Sequence, residues 1–122
     1  MLEKSVVMPT VAVKDIEKAK KFYGQTLGLK LLDENEGGLT FESGGCHLFV
    51  YESEFAGTNK ATYAAWNVKD IKKVAEDLKG KGVEFLHYDG LGKLDGDVHI
   101  MGPFKAAWFK DQDGNILSLD EM

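Results

Sequence analysis

The amino-acid sequence predicts an α+β fold of two tandem βαβββ modules within one domain over residues 1–122, the first module at about residues 5–52 and the second at about 62–120. An internal repeat, a matched pair of helix caps and a set of glycine-punctuated strands predict it. The run Val13-Lys14-Asp15-Ile16-Glu17-Lys18 returns 55 positions later as Val68-Lys69-Asp70-Ile71-Lys72-Lys73, with five of the six residues identical. A fixed-period echo of this kind marks a repeated structural unit. Each copy follows a β-like segment, residues 6–13 and 62–68, and precedes a helix-like one.

Asp15 and Asp70 have the chemistry of helix N-caps, because a short carboxylate accepts hydrogen bonds from the free N–H groups of the first turn. Behind them Ile16, Ala19, Phe22, Tyr23 and Leu27, and in the second copy Ile71, Val74, Ala75 and Leu78, fall at helical spacing, so each helix lays one apolar face on a sheet. Gly28, and Gly80 or Gly82, supply the left-handed residue that closes a helix. Strands are expected at residues 30–34, 38–42 and 46–52, punctuated by Gly37-Gly38 and Gly44-Gly45. In the second module they are expected at residues 83–88, within 98–109 and at 116–120, with Asp113-Gly114-Asn115 as the last tight turn. Residues 89–97 read as a surface loop beside the ligand pocket.

The formal net charge of −5, with lysines interleaved among acids, excludes the concentrated basic face of a nucleic-acid binder. Met1 to Thr10 is too short an apolar stretch for a signal peptide or a membrane span, so a cytoplasmic protein is expected. Cys46, the only cysteine, has no partner for an internal disulfide and no spacing for a zinc site, and is expected as a buried, inert thiol.

The pattern resembles the vicinal oxygen chelate superfamily, which includes glyoxalase I, extradiol dioxygenases, fosfomycin-resistance enzymes and the bleomycin-resistance binding proteins. The likeness is carried by Val13-Lys14-Asp15, Phe22-Tyr23 and Leu27-Gly28-Leu29, and by the run from Ala107 through Trp108-Phe109-Lys110-Asp111-Gln112-Asp113-Gly114-Asn115 to Leu117. It implies a curled mixed sheet around a central cleft, with helices outside and homodimeric pairing. In metal-dependent members four ligands come from the first and fourth strands of both modules. Carried onto this sequence, those positions hold Met8, Phe49, Tyr63 and Ser118. None is a histidine or carboxylate, and imidazole and carboxylate are what hold catalytic divalent metals of this kind.

Metal and cofactor are therefore not expected, and the ligand-binding candidates are Met8, His47, Phe49, Tyr51, Tyr63, Trp66, His99, Trp108 and Ser118. Strand alternation places His47, Phe49 and Tyr51 on one face and Cys46, Leu48 and Val50 on the other. Aromatic rings in a curled sheet suit a flat or apolar ligand, while the hydroxyls of Tyr63 and Ser118 can orient a polar group or merely fill space. His87 reads as a partly exposed or backbone-bonded histidine, and Lys93, Asp95 and Asp97 as a charged loop that keeps the chain soluble. Three readings stay open: a metal-independent binder sequestering a small organic ligand; an enzyme, either a metal-dependent lyase or dioxygenase with displaced ligands centred on His47 with Glu52 or His99, or a cofactor-free catalyst using Tyr63; and an interaction module whose cleft is filled by its own side chains.

Overall fold

The computed structural model describes residues 1–122, which divide into two compact units, Met1–Ala56 and Gly57–Met122. The first unit contains β1 (Thr10–Val13), α1 (Ile16–Lys21), a π-helical turn (Phe22–Thr26), β2 (Lys30–Asn35), β3 (Gly38–Ser43) and β4 (Cys46–Glu52). The strands line up as β1-β4-β3-β2, with β1 parallel to β4 and the remaining pairs antiparallel. Asp15 caps α1 as its position predicts, accepting from the backbone N–H groups of Glu17 at 2.9 Å and Lys18 at 3.2 Å. Ala19 and Tyr23 are fully buried together with Val11, Val13, Leu39, Phe41 and Val50, so the apolar stripe of the helix closes one face of this sheet. The valine, leucine and phenylalanine side chains among them each contribute roughly 1.5–3 kcal/mol by leaving water. On the surface, an ion pair of 2.6 Å from Lys20 to Glu34 ties α1 to β2, and its hydrogen bond raises the pKa of Lys20 above that of a free ammonium.

The second unit contains β5 (Thr62–Asn67), α2 (Ile71–Gly80), β6 (Phe85–Leu86), β7 (Lys93–Asp95), β8 (Val98–Met101), β9 (Phe104–Lys110) and β10 (Ile116–Glu121). Its sheet runs β5-β10-β9-β8-β7, with β6 pairing β9 and with β5 parallel to β10. The repeat seen in sequence is thus a repeat of topology: first strand beside last, in parallel, with one helix between. Asp70 caps α2 through the Lys73 N–H at 3.3 Å, and Ile71, Ala75 and Leu78 turn inward. The α+β class is as the sequence predicts, with ten strands in two mixed sheets and one α-helix in each unit; the first unit is βαβββ, and in the second five strands follow the helix. No helix is long and apolar enough to cross a membrane.

Several expectations are corrected. The first strand begins at Thr10, not near residue 6, because its ladder with β4 starts at Thr10 opposite Phe49; Val6 and Val7 lie outside it, 92% and 86% exposed. The single strand expected within residues 98–109 is two, β8 and β9, reversing at Gly102-Pro103. Residues 89–97 are not all loop, since β7 pairs with β8 in a hairpin. Three residues are too few to show a period, and the charges there act locally: Asp95 pairs with Lys72 at 3.6 Å and Asp97 with Lys79 at 3.4 Å, tying the hairpin to α2. Cys46 is exposed, not buried, because it opens β4 next to the Gly44-Gly45 turn, at the tip of a hairpin.

The Asp111–Asn115 turn is held from within and then grips a distant segment. Asp111 accepts from the Asp113 and Asn115 N–H groups, each at 2.9 Å, and from the Asn115 side-chain amide at 2.7 Å. The Asn115 side-chain oxygen Oδ1 in turn accepts from the Gly57 N–H at 3.0 Å. Gly57 has φ +75°, and a Cβ there would stand 2.2 Å from the Asp113 carbonyl oxygen, so only glycine lets the two segments approach. Asn115 is 0% exposed, and truncating it removes its side-chain bonds to Asp111 Oδ2 and to the Gly57 N–H. Asn115→Ala is expected to cost about 2–3 kcal/mol, read as a lower urea midpoint at unchanged slope.

Candidate functional site

Alternation along each strand sorts side chains into a face covered by a helix and a face without one. In the first sheet Leu48 and Val50 lie on the α1 side with Leu39 and Phe41. His47, Phe49 and Tyr51 take the opposite face, as the sequence pattern indicates. There the rings of Phe49 and Tyr51 stack with centroids 6.2 Å apart and planes 11° from parallel. Register places Phe49 beside Thr10 and Thr40, and exposed His47 beside Glu42. Met8 lies two residues ahead of β1 and is 40% exposed.

In the second sheet α2 packs over β8, β9 and β10, on the face of Val98, Ala107, Phe109, Leu117 and Leu119. Trp66 belongs to that side, opposite Leu119 and with its ring 6.4 Å from Phe109. Trp108 belongs to the other side. The two tryptophans, both candidates for a ligand surface, are therefore separated by the thickness of the sheet. Around Trp108 the helix-free face gathers a ring cluster: Tyr88 stands edge-on at 5.2 Å and His99 at 5.3 Å. Ser118 sits across the ladder from Trp108 and is buried. Half-buried Tyr63 falls at the irregularity where the β5–β10 register shifts between Ile116 and Leu117.

His99 is 1% exposed, and both of its ring nitrogens are engaged. Nδ1 lies 3.0 Å from the Leu91 carbonyl oxygen, and Nε2 faces the Tyr88 backbone N–H at 3.3 Å. A carbonyl requires a donor and an N–H requires an acceptor, so the network assigns the neutral tautomer with its proton on Nδ1. The ring thereby ties β8 to the chain entering the β7–β8 hairpin at Tyr88 and Leu91, and packs against Trp108 with both nitrogens engaged. His87 is half exposed and hydrogen-bonded through Nε2 to Asp97 at 2.8 Å.

Beside this cluster, on the same face, a shallow cavity of about 410 Å³ opens at the β9–β10 end of the sheet. Leu86, Tyr88 and Ile116 form its apolar wall, and Asn59, Lys60, His87 and Lys110 its polar margin. Sequence reasoning missed this cavity. Its rim depends on the Gly57–Asn115 contact, which joins residues far apart in the chain, and only the Asp-x-Asp-Gly-Asn turn itself was visible.

The metal positions implied by the family resemblance can be tested against the register. Phe49 pairs with Thr10 and Ser118 with Ala65, and Thr10 and Ala65 are separated by the same 55 residues as the sequence repeat. The two fourth-strand positions are thus structurally equivalent. A thioether, a phenyl ring, a phenol and an alcohol at Met8, Phe49, Tyr63 and Ser118 do not fit a catalytic divalent ion. No three His, Cys, Asp or Glu side chains come together in a group able to hold one.

The fold and these motifs agree with the comparisons to known proteins. The chain belongs to the glyoxalase/bleomycin resistance protein/dioxygenase superfamily, whose family model matches residues 5–119. A superfamily member from Sphaerobacter thermophilus DSM 20745 is similar in structure, at 24% identity and TM-score 0.75, with 100% of both chains covered. So is a glyoxalase family protein from Bacillus anthracis, at 20% identity and TM-score 0.76 over 97% of this chain and 94% of that one. TnmS3, an antibiotic binding protein from Streptomyces sp. CB03234, is 25% identical at TM-score 0.70, covering 99% of this chain and 98% of its own. No curated protein sequence matches the chain.

His99→Ala removes a buried ring and orphans the Tyr88 N–H and the Leu91 carbonyl. It is expected to destabilise the fold by roughly 2–4 kcal/mol in chemical denaturation. In the unmodified protein, nitrogen NMR is expected to show His99 with a proton-bearing Nδ1 and an acceptor Nε2.

Proposed function

We propose that this chain is a metal-independent small-molecule-binding protein of the superfamily, which sequesters an aromatic or apolar ligand against the helix-free faces of its sheets. One observation carries the reading: those faces present rings where metal-dependent relatives are expected to present ligands, with Trp108, Tyr88 and His99 clustered in the second unit and Phe49 stacked on Tyr51 in the first. Apolar ring surface supplies the driving force, and a few hydroxyls and amides set orientation. The similarity to an antibiotic binding protein supports the same reading.

The ligand-facing set we assign is Met8, His47, Phe49 and Tyr51 from the first module and Tyr63, Trp108 and Ser118 from the second. Trp66 and His99 act behind it, Trp66 in the helix-side core and His99 as the brace of Trp108. We further propose that residues 1–122 work as one domain in a cytoplasmic homodimer without a cofactor. The alternative, a lyase or dioxygenase using His47 with Glu52 or His99, is disfavoured because both nitrogens of His99 are already committed to backbone groups.

Two measurements test this. After incubation with iron, nickel, manganese or zinc and desalting, elemental analysis is expected to find far less than one equivalent of metal; stoichiometric retention overturns the proposal. Trp108→Ala is expected to weaken binding of neutral planar compounds by about tenfold or more, followed by calorimetry on protein whose cooperative urea unfolding confirms that it folds. Unchanged affinity overturns the placement of the ligand.

A further inference from the structure

We infer that the cavity at the β9–β10 end of the second sheet selects ligands bearing an anionic group, so that the bound molecule is a planar or apolar organic acid. This rests on the proposed function and adds the charge of its ligand. In a chain of net charge −5, the cavity is lined by two lysines, one histidine and one asparagine and by no carboxylate. Lys60 is exposed and Lys110 half buried, and neither ammonium takes part in an ion pair, whereas Lys20, Lys72 and Lys79 each find an acidic partner. Asp111 and Asp113, chain neighbours of the lining Lys110 and Gly114, are hydrogen-bonded within the turn, and Asp97, 2.8 Å from His87 Nε2, is shared with Lys79. Its charge is met from the helix side.

Placement matters as much as charge. Lys110 and Ile116 face each other across the β9–β10 ladder, one residue pair beyond Phe109 and Leu117, and Leu86 lies opposite Trp108. Tyr88 belongs both to the cavity wall and to the ring cluster, in edge contact with Trp108 at 5.2 Å. An aromatic body resting against Trp108, Tyr88 and Leu86 therefore directs one end toward Lys110 and Lys60. The Lys60 side of the rim is held ready, since Asn115 fixes Gly57 three residues upstream. A rim already ordered before binding reduces the entropy lost on capture.

Naphthalene carboxylate, its neutral carboxamide and the corresponding aminomethyl cation share one ring system and differ in the charge at its end. With the full-length protein at low salt, calorimetry is expected to show the carboxylate binding about tenfold more tightly than the carboxamide, from two partly solvated ion pairs. The cation should be the weakest of the three. Added salt should narrow the gap, because it screens exposed charges. The preference should fall in Lys60→Met and in Lys110→Met, vanish in the double variant and persist in Lys110→Arg, with urea midpoints confirming that each variant folds. Equal affinity for carboxylate and carboxamide, or a preference that survives in the double variant, overturns the inference. If the carboxamide still binds in a Trp108-dependent manner in that case, the proposed function stands without it. If the carboxylate preference depends on the lysines but not on Trp108, the anion site stands and the placement against Trp108 falls. Failure of all three probes to bind overturns both.

Discussion

Each module is governed by the parallel pairing of its first strand with its last. Parallel neighbours cannot be joined by a tight turn; the chain must leave the sheet, cross over and return. Here the crossover carries one helix and the inner strands, and the helix covers a single face. The opposite face of the same strands is left without a helix. Thr10 beside Phe49 and Ala65 beside Ser118 mark the same point in the two ladders, and the ligand-facing side chains proposed above are set out from those points. Were the outer pair antiparallel, a hairpin would suffice and no helix would be needed to define an inside.

Features that depend on local chemistry were legible in the sequence. Asp15 and Asp70 cap helices because the cap lies within three residues of the groups it serves, and β2 to β4 appear where glycine pairs and alternation put them. What depended on a distant partner was not. The start of β1 is decided by where β4 offers hydrogen bonds, and Val6 and Val7 are as β-prone as Val11 and Val13. Cys46 is apolar enough for a core, yet its distance from α1 along the hairpin leaves it in solvent. The two tryptophans read alike, but the irregularity near Tyr63 and the phase of the ladder send them to opposite faces. His99 gave no signal of its engagement with Leu91 and Tyr88, because those contacts require the β7–β8 hairpin to fold back first.

The ring cluster around Trp108 shows how a small sheet can make a firm surface out of side chains with few hydrogen-bonding options. A tryptophan on a two-sided sheet has rotational freedom unless something packs against its ring. Tyr88 and His99 do so at near-perpendicular angles, the arrangement favoured by the quadrupoles of the rings. His99 is fixed in turn by two backbone groups, so the order of the outermost ring traces to hydrogen bonds beneath it. Binding against such a surface requires little further ordering.

The division of each strand between two faces also bears on how such a chain can diverge. Along β9 and β10 the odd-numbered positions Ala107, Phe109, Leu117 and Leu119 meet α2, while the even-numbered positions Ala106, Trp108 and Ser118 do not. The helix-side core and the ligand face proposed above are thus written on alternate letters of the same words. Substitutions on the even letters can exchange one ligand for another with little effect on the helix-side core. Relatives can then drift to about one residue in five identical while the path of the backbone stays recognisable.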